Sequence, residues 1–168
     1  MEDGFDALAA ALDAAVVVVT AAAPAAGGGE RAGCLVGFHS QCSIEPRRYA
    51  VWLSKVNHTY RVALLADHVA VHPLGARDRD LAELFGGRTG DDVDKFARCD
   101  WEPGPGGVPL LAGRAGGRLV LRRTALLDVG GDHSCLVGEP VLVEPPDRFT
   151  PLRLSVAGAV APGHPIPD

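Results

Sequence analysis

The stretch GCLVGFHSQCSIEP, residues 33–46, decides how the rest of this chain is read. It opens as a buried strand, with Cys34, Leu35 and Val36 apolar and the strand predicted to run to Phe38. His39, Ser40, Gln41, Cys42 and Ser43 then follow, with no strong turn residue before Glu45-Pro46. A strand serving only a core would keep alternating, and a surface loop would carry more charge. Small polar groups and accessible backbone beside an apolar wall suit a surface that holds something.

Working outward, YAVWLS at residues 49–54 reads as the next strand, entered from the Glu45-Pro46 turn. Ser54-Lys55-Val56-Asn57-His58-Thr59 joins it to YRVALLAD, a short helix with Asn57 or Thr59 as N-cap. Free N–H groups at such a helix start favour an anion. Lys55 adds a point charge, and Ser54, Asn57 and Thr59 add short polar donors. Upstream, residues 5–12 suit an amphipathic helix, and AVVVVT at 15–20 is a β-branched run expected to be fully buried. AAAPAAGGGERAG is a hairpin-like loop.

Downstream, residues 68–74 alternate as a strand and residues 78–85 form a helix stopped by Gly86-Gly87. A turn is expected over 91–96, and WEPGPGG reads as loop. Residues 118–128 and 133–144 are two long strands joined by Val129-Gly130-Gly131-Asp132. The prolines that follow predict an extended arm or disorder. The division expected is a domain over 1–145 and a C-terminal arm or tail over 146–168. Many strands with a few short helices, and no βα alternation, predict a mainly β fold: a closed or split antiparallel barrel, which removes exposed edges.

With 168 residues, one domain with a sizeable core is expected. A formal charge of −5 and no basic stripe argue against a nucleic-acid partner. Four cysteines without a CxxC pair and six scattered histidines show no metal-ligand spacing. The cysteines read as buried free thiols of a reducing, cytoplasmic environment. The acidic N-terminus lacks the basic region of a signal peptide, and AAVVVVTAAAPAA is too short to span a bilayer, so no membrane is expected.

Several stretches together resemble a known family. GCLVGFHSQCSIEP, then YAVWLSK and NHTY, and later GDHSCLVGEPV, are similar to the flavin reductase-like domain on the FMN-binding split β-barrel. Ser43-Ile44-Glu45-Pro46 matches its Ser-hydrophobic-Asp-Pro mark, and Ser54-Lys55 to Thr59 its polar loop. Leu81 to Phe85, Asp94-Lys95-Phe96, and Gly131-Asp132-His133 with Gly138-Glu139 recur in the family's order. The similarity covers about residues 16–144.

The resemblance implies that Val36, Gly37, Phe38, His39 and Ser40 line a flavin ring, largely through backbone groups. It implies that Ser54, Lys55, Asn57, His58 and Thr59 hold the phosphate, that Lys95 and Phe96 also contact the cofactor, and that His133 docks the nicotinamide. The implied activity is reduction of FMN, or of FAD, by NADH or NADPH, with reduced flavin passed to a partner monooxygenase and the chain acting as a homodimer. The chain departs from the pattern at Leu35, Gly37, Phe38 and His39, where relatives carry hydroxyl or amide side chains and an aromatic, and at Arg47, where they carry a second Pro. These departures keep open a rival: a non-catalytic split-barrel protein binding flavin or haem.

Overall fold

The computed structural model describes residues 2–24, 26, 29–87, 93–113 and 116–158. Helix α1 (Glu2–Leu12) leads into β1 (Val17–Ala22), followed by β2 (Arg31–Val36), β3 (His39–Ser43) and β4 (Arg48–Ser54). Then come α2 (His58–Leu65), β5 (His68–Pro73), α3 (Arg79–Gly86) and a 3-10 turn at Lys95–Arg98. The short strands β6 (Trp101–Pro103) and β7 (Pro109–Leu111) precede the long β8 (Arg118–Asp128) and β9 (His133–Glu144), and α4 (Leu154–Ala157) follows.

Seven strands form one antiparallel sheet in the order β2-β1-β5-β8-β9-β4-β3. The sheet curls so that β1, β2, β4, β5, β8 and β9 all send side chains into one cluster, including Val19, Val36, Val51, Val71, Leu121 and Leu136. Helix α2 lies across β1, β2 and β4 and adds Val62 and Ala63 to that cluster. The barrel is therefore split between β2 and β4 and plugged there by a helix, the mainly β architecture expected. Register shifts in the β8–β9 pair at Val120/Leu121 and Arg123/Ala125 add the local twist that curling requires.

β1 is buried on both faces, as its β-branched run predicts. Val17 and Val19 face the barrel, while Val16 and Val18 join Leu74, Leu81, Phe85, Phe96 and Leu111 outside it. His72, fully buried, links these layers: Nδ1–H donates to the Val18 carbonyl at 3.2 Å, and Nε2 accepts from the Leu111 N–H at 3.1 Å.

Three local readings change. Residues 39–43, expected as a polar continuation, form the edge strand β3, paired with β4 on one side. Its side chains are mostly exposed, which is why the alternation of a buried strand is missing. WEPGPGG is not only loop, since residues 101–103 pair with 109–111 in a hairpin, with Gly106 and Gly107 at φ 67° and 77° in its turn. Of the expected arm or disordered segment beyond Glu144, residues 150–157 are held against the rest of the chain. Gly75 bridges Pro151 and Ala15 bridges Arg153, and Leu152, 2% exposed, and Ala157 are buried in the outer cluster. Residues 91–92 of the expected turn and 159–168 of the tail lie outside the described residues.

Candidate functional site

The expected site residues separate into two regions joined by a short connection. The first lies where β4 and β9 run side by side. Ser54 is the register partner of His133, and the Phe38 ring meets the His133 ring edge-on, with centroids 5.2 Å apart. Phe38 is 57% exposed, so one aromatic face remains open beside the imidazole. The Phe38 carbonyl accepts from the Trp52 N–H at 2.9 Å, which ties the end of the β2–β3 connection onto β4.

His133 is oriented by its neighbour. Its Nδ1 lies 2.8 Å from Asp132 Oδ1, and as the carboxylate can only accept, Nδ1 carries the proton. That contact holds the Asp132 carboxyl below its ordinary value. Nε2 is left without a hydrogen bond among the described residues. The Gly130-Gly131 turn makes the placement: Gly130 has φ 90°, a left-handed conformation suited to glycine.

The second region is a cavity of about 330 Å³ lined by residues 29–33, His58 and residues 93–96. Asn57 caps α2, its side chain accepting from the Thr59 N–H at 2.9 Å. Thr59 is buried beside Cys34, whose thiol is pushed up chiefly by burial. His58 Nδ1 lies 3.0 Å from Arg61 Nη2. A guanidinium can only donate, so Nδ1 accepts and Nε2–H points at Glu30, 3.0 Å away.

Lys95 is the buried cation of this cavity. Its ammonium donates to the Gly33 and Phe85 carbonyls at 2.9 and 3.1 Å, and burial pulls its pKa below the ordinary value. Gly33 belongs to the edge strand β2, and Phe85 lies in the last turn of α3, so Lys95 satisfies carbonyls that an edge and a helix end leave open. Asp94 caps the turn that carries it, accepting from the Phe96 and Ala97 N–H groups. Phe96 packs edge-on against Phe85 and Trp101 and joins the outer core while one surface reaches the cavity.

The other expected residues make structural contacts around these two regions. Lys55 Nζ sits 2.7 Å from Asp128 Oδ1, and its backbone N–H donates to the Asp132 carbonyl, so it braces the β8–β9 turn. His39 is a clamp: Tyr49 O–H donates to Nδ1 at 2.7 Å and Nε2–H donates to the Ala15 carbonyl at 2.8 Å. Val36 is buried in the barrel core, leaving its backbone for any surface role. Ser40 is exposed and donates to the Gln41 carbonyl, and a Cβ at Gly37 would meet Leu154 at 3.3 Å. Glu30, Arg31 and Asp94 were not expected at a site. The adjacent acid and base after the glycine run, Glu30-Arg31, were the available signal. Among the described residues, no three His, Cys, Asp or Glu side chains are grouped to hold a metal ion.

The model of the flavin reductase like domain matches residues 9–155 of the sequence. The chain belongs to this family. Among curated relatives of the flavin reductase-like chain is FMN reductase (NADH) RutF of Stutzerimonas stutzeri, 32% identical over 99 residues, covering 58% of this chain and 51% of that protein. Another is the reductase subunit HsaB of a flavin-dependent monooxygenase from Mycobacterium tuberculosis, 28% identical over 107 residues, 61% of this chain and 54% of that one. The chain thus spans about half the length of the curated relatives it matches.

Solved structures agree on the fold. A flavin reductase domain protein from Arthrobacter superposes with a TM-score of 0.79 at 24% identity, over 99% of this chain and 97% of that one. The NADH:FAD oxidoreductase SgcE6 of Streptomyces globisporus gives 0.69 at 26% identity, over 79% and 75%. The split-barrel class and the family read from the sequence both hold. No helix among the described residues is long and apolar enough to cross a membrane.

Proposed function

We propose that the protein is a cytoplasmic NAD(P)H-dependent flavin reductase. It acts on FMN, or on FAD, and supplies the reduced flavin to a monooxygenase, working as a homodimer. One observation carries this reading: the open Phe38–His133 face and the polar cavity at His58 and Lys95 are linked by residues 54–58. The link is a tight turn, closed by the Asn57 N–H donating to the Ser54 carbonyl at 3.0 Å, so the two regions adjoin, as the ring and the ribityl phosphate of one ligand require. The relatives' names, an NADH-dependent FMN reductase and the reductase subunit of a monooxygenase, support the same activity.

The residues present fit such a cofactor by the chemistry of their donors. The start of α2 and the His58 and Arg61 groups suit a phosphate. The unpaired edge of β3 offers backbone N–H and C=O groups to a ring rim, and Phe38 offers an apolar face. A bound flavin supplies the hydride acceptor. Phe38 and the imidazole then exclude water from one face and align the nicotinamide, while Asp132 fixes the His133 tautomer so that Nε2 faces the reductant. Positioning of this kind, rather than a nucleophile or a strong base, is all the transfer asks of the protein.

His133→Ala tests the assignment. FMN affinity should change little, and the rate of NADH- or NADPH-dependent flavin reduction should fall at least about tenfold, equal to about 1.4 kcal/mol of barrier. An unchanged rate removes His133 from the site. FMN binding with no nicotinamide oxidation in the wild type leaves the non-catalytic binder as the function.

A further inference from the structure

A second cavity, of about 560 Å³, shares no lining residue with either region. It is lined by residues 75–78, Gly113 and residues 148–150. Three segments distant in sequence build it, and the docked arm is tied to the first of them. The Ala76 N–H donates to the Thr150 carbonyl at 2.8 Å, and the Leu152 N–H donates to the Leu74 carbonyl at 2.8 Å. With Leu152 buried beneath, Arg148 and Phe149 sit on an anchored segment.

The chemistry of the lining is specific. Arg77 and Arg148 both line the cavity, and among the described residues neither guanidinium has a hydrogen-bond or ion-pair partner. Arg48, Arg118 and Arg122 are by contrast paired with glutamates. The single carboxylate in the lining, Asp78, is engaged by the Gly75 N–H at 2.8 Å. The lining is thus net positive in a chain of formal charge −5. Half-buried Phe149 adds an aromatic wall, and no side chain at Gly75 blocks it: a Cβ there would lie 3.6 Å from the ring.

We infer that this cavity binds a nucleoside diphosphate group, its phosphates on Arg77 and Arg148 and its base against Phe149. Two unpaired guanidiniums match two phosphates through fork-like donor geometry, an aromatic face takes a planar base, and the volume falls in the range of small-molecule sites. The group can belong to a free nucleotide or to the ADP half of a dinucleotide. The inference does not rest on the flavin-reductase reading.

Calorimetric titration of the full chain with ADP, in the presence of excess FMN, is the test. Saturable binding is expected, weakened at least tenfold in Arg77→Gln and in Arg148→Gln. Adenosine, lacking phosphates, and inorganic pyrophosphate, lacking the base, should each bind more weakly than ADP. FMN affinity, measured separately, should stay within twofold in both variants, and their melting temperatures should match the wild type. Displacement of ADP by NADH assigns the group to the dinucleotide, and no displacement assigns it to a free nucleotide. The inference is overturned if ADP gives no saturable heat, if both variants bind it like the wild type, or if pyrophosphate binds as tightly as ADP.

Discussion

Replacing Lys95 by Met asks whether this buried cation serves the fold or the ligand. The side chain is 4% exposed and donates to two main-chain carbonyls, at 2.9 and 3.1 Å. Its ammonium also lies 5.5 Å from the centre of the Phe85 ring. Methionine keeps the length and loses the donors. Each orphaned buried carbonyl costs about 1–3 kcal/mol. Relief from burying a charge offsets part of this, because desolvation is the main reason the Lys95 pKa is lowered. The expected net loss is about 2 kcal/mol, read by urea denaturation at neutral pH, with FMN affinity of the folded protein little changed. The pH dependence has a definite sign. A lysine whose folded pKa lies below its ordinary 10.5 binds fewer protons folded than unfolded, so wild type gains stability relative to Lys95→Met as pH rises toward 10.5. Stability within about 0.5 kcal/mol of wild type, with FMN binding lost, would refute the structural role and make Lys95 a ligand contact.

Two further substitutions probe the frame that holds the site. Gly138 lies where β9 crosses β8, and a Cβ there would sit 2.7 Å from Leu121 Cβ and 2.9 Å from the Arg122 carbonyl. Gly138→Ala should cost about 1–3 kcal/mol by overpacking, read as a lower melting temperature, and an unchanged melt would contradict this packing. Asp13 accepts from the Ser155 N–H and hydroxyl, which holds its carboxyl below the ordinary 3.8. Its contribution is complete above 3.8 and is lost as pH falls through the lower folded value. Melts in that acidic range should therefore show a smaller pH dependence for Asp13→Asn than for wild type, and parallel curves would remove the clamp.

Most of the frame was legible where local chemistry and tertiary packing agree. The two long strands of residues 118–128 and 133–144 appear at their predicted bounds because a glycine turn separates two β-rich runs. Asn57 caps α2 as read, since capping is decided within a few residues. β3 was hidden because an exposed edge strand has no apolar face to alternate. The β6–β7 hairpin was hidden because prolines and glycines at 103–107 look like loop while supplying the turn. The docking of residues 149–157 depends on Leu152 and Ala157 finding a cluster built from distant strands, which no local pattern reveals.

The arrangement of the candidate site was legible in part, for the same reason. GDH marked the Asp132–His133 pair because the orienting residue is the neighbour in sequence. Lys55 and Lys95 carried no such local cue. Their charges are directed by Asp128 and by the carbonyls of Gly33 and Phe85, all distant along the chain. Glu30 and Arg31 reach the cavity only because β2 lies beside α2.

At the centre of the proposed function, one continuous surface runs from Phe38 and His133 to the cavity at His58 and holds a flavin for reduction. The most direct test follows nicotinamide oxidation by the purified wild-type protein with FMN added, alongside a fluorescence titration of FMN. The account predicts saturable FMN binding and NADH or NADPH oxidation that depends on added flavin. A titration without saturation, or oxidation no faster than in the absence of protein, would contradict it.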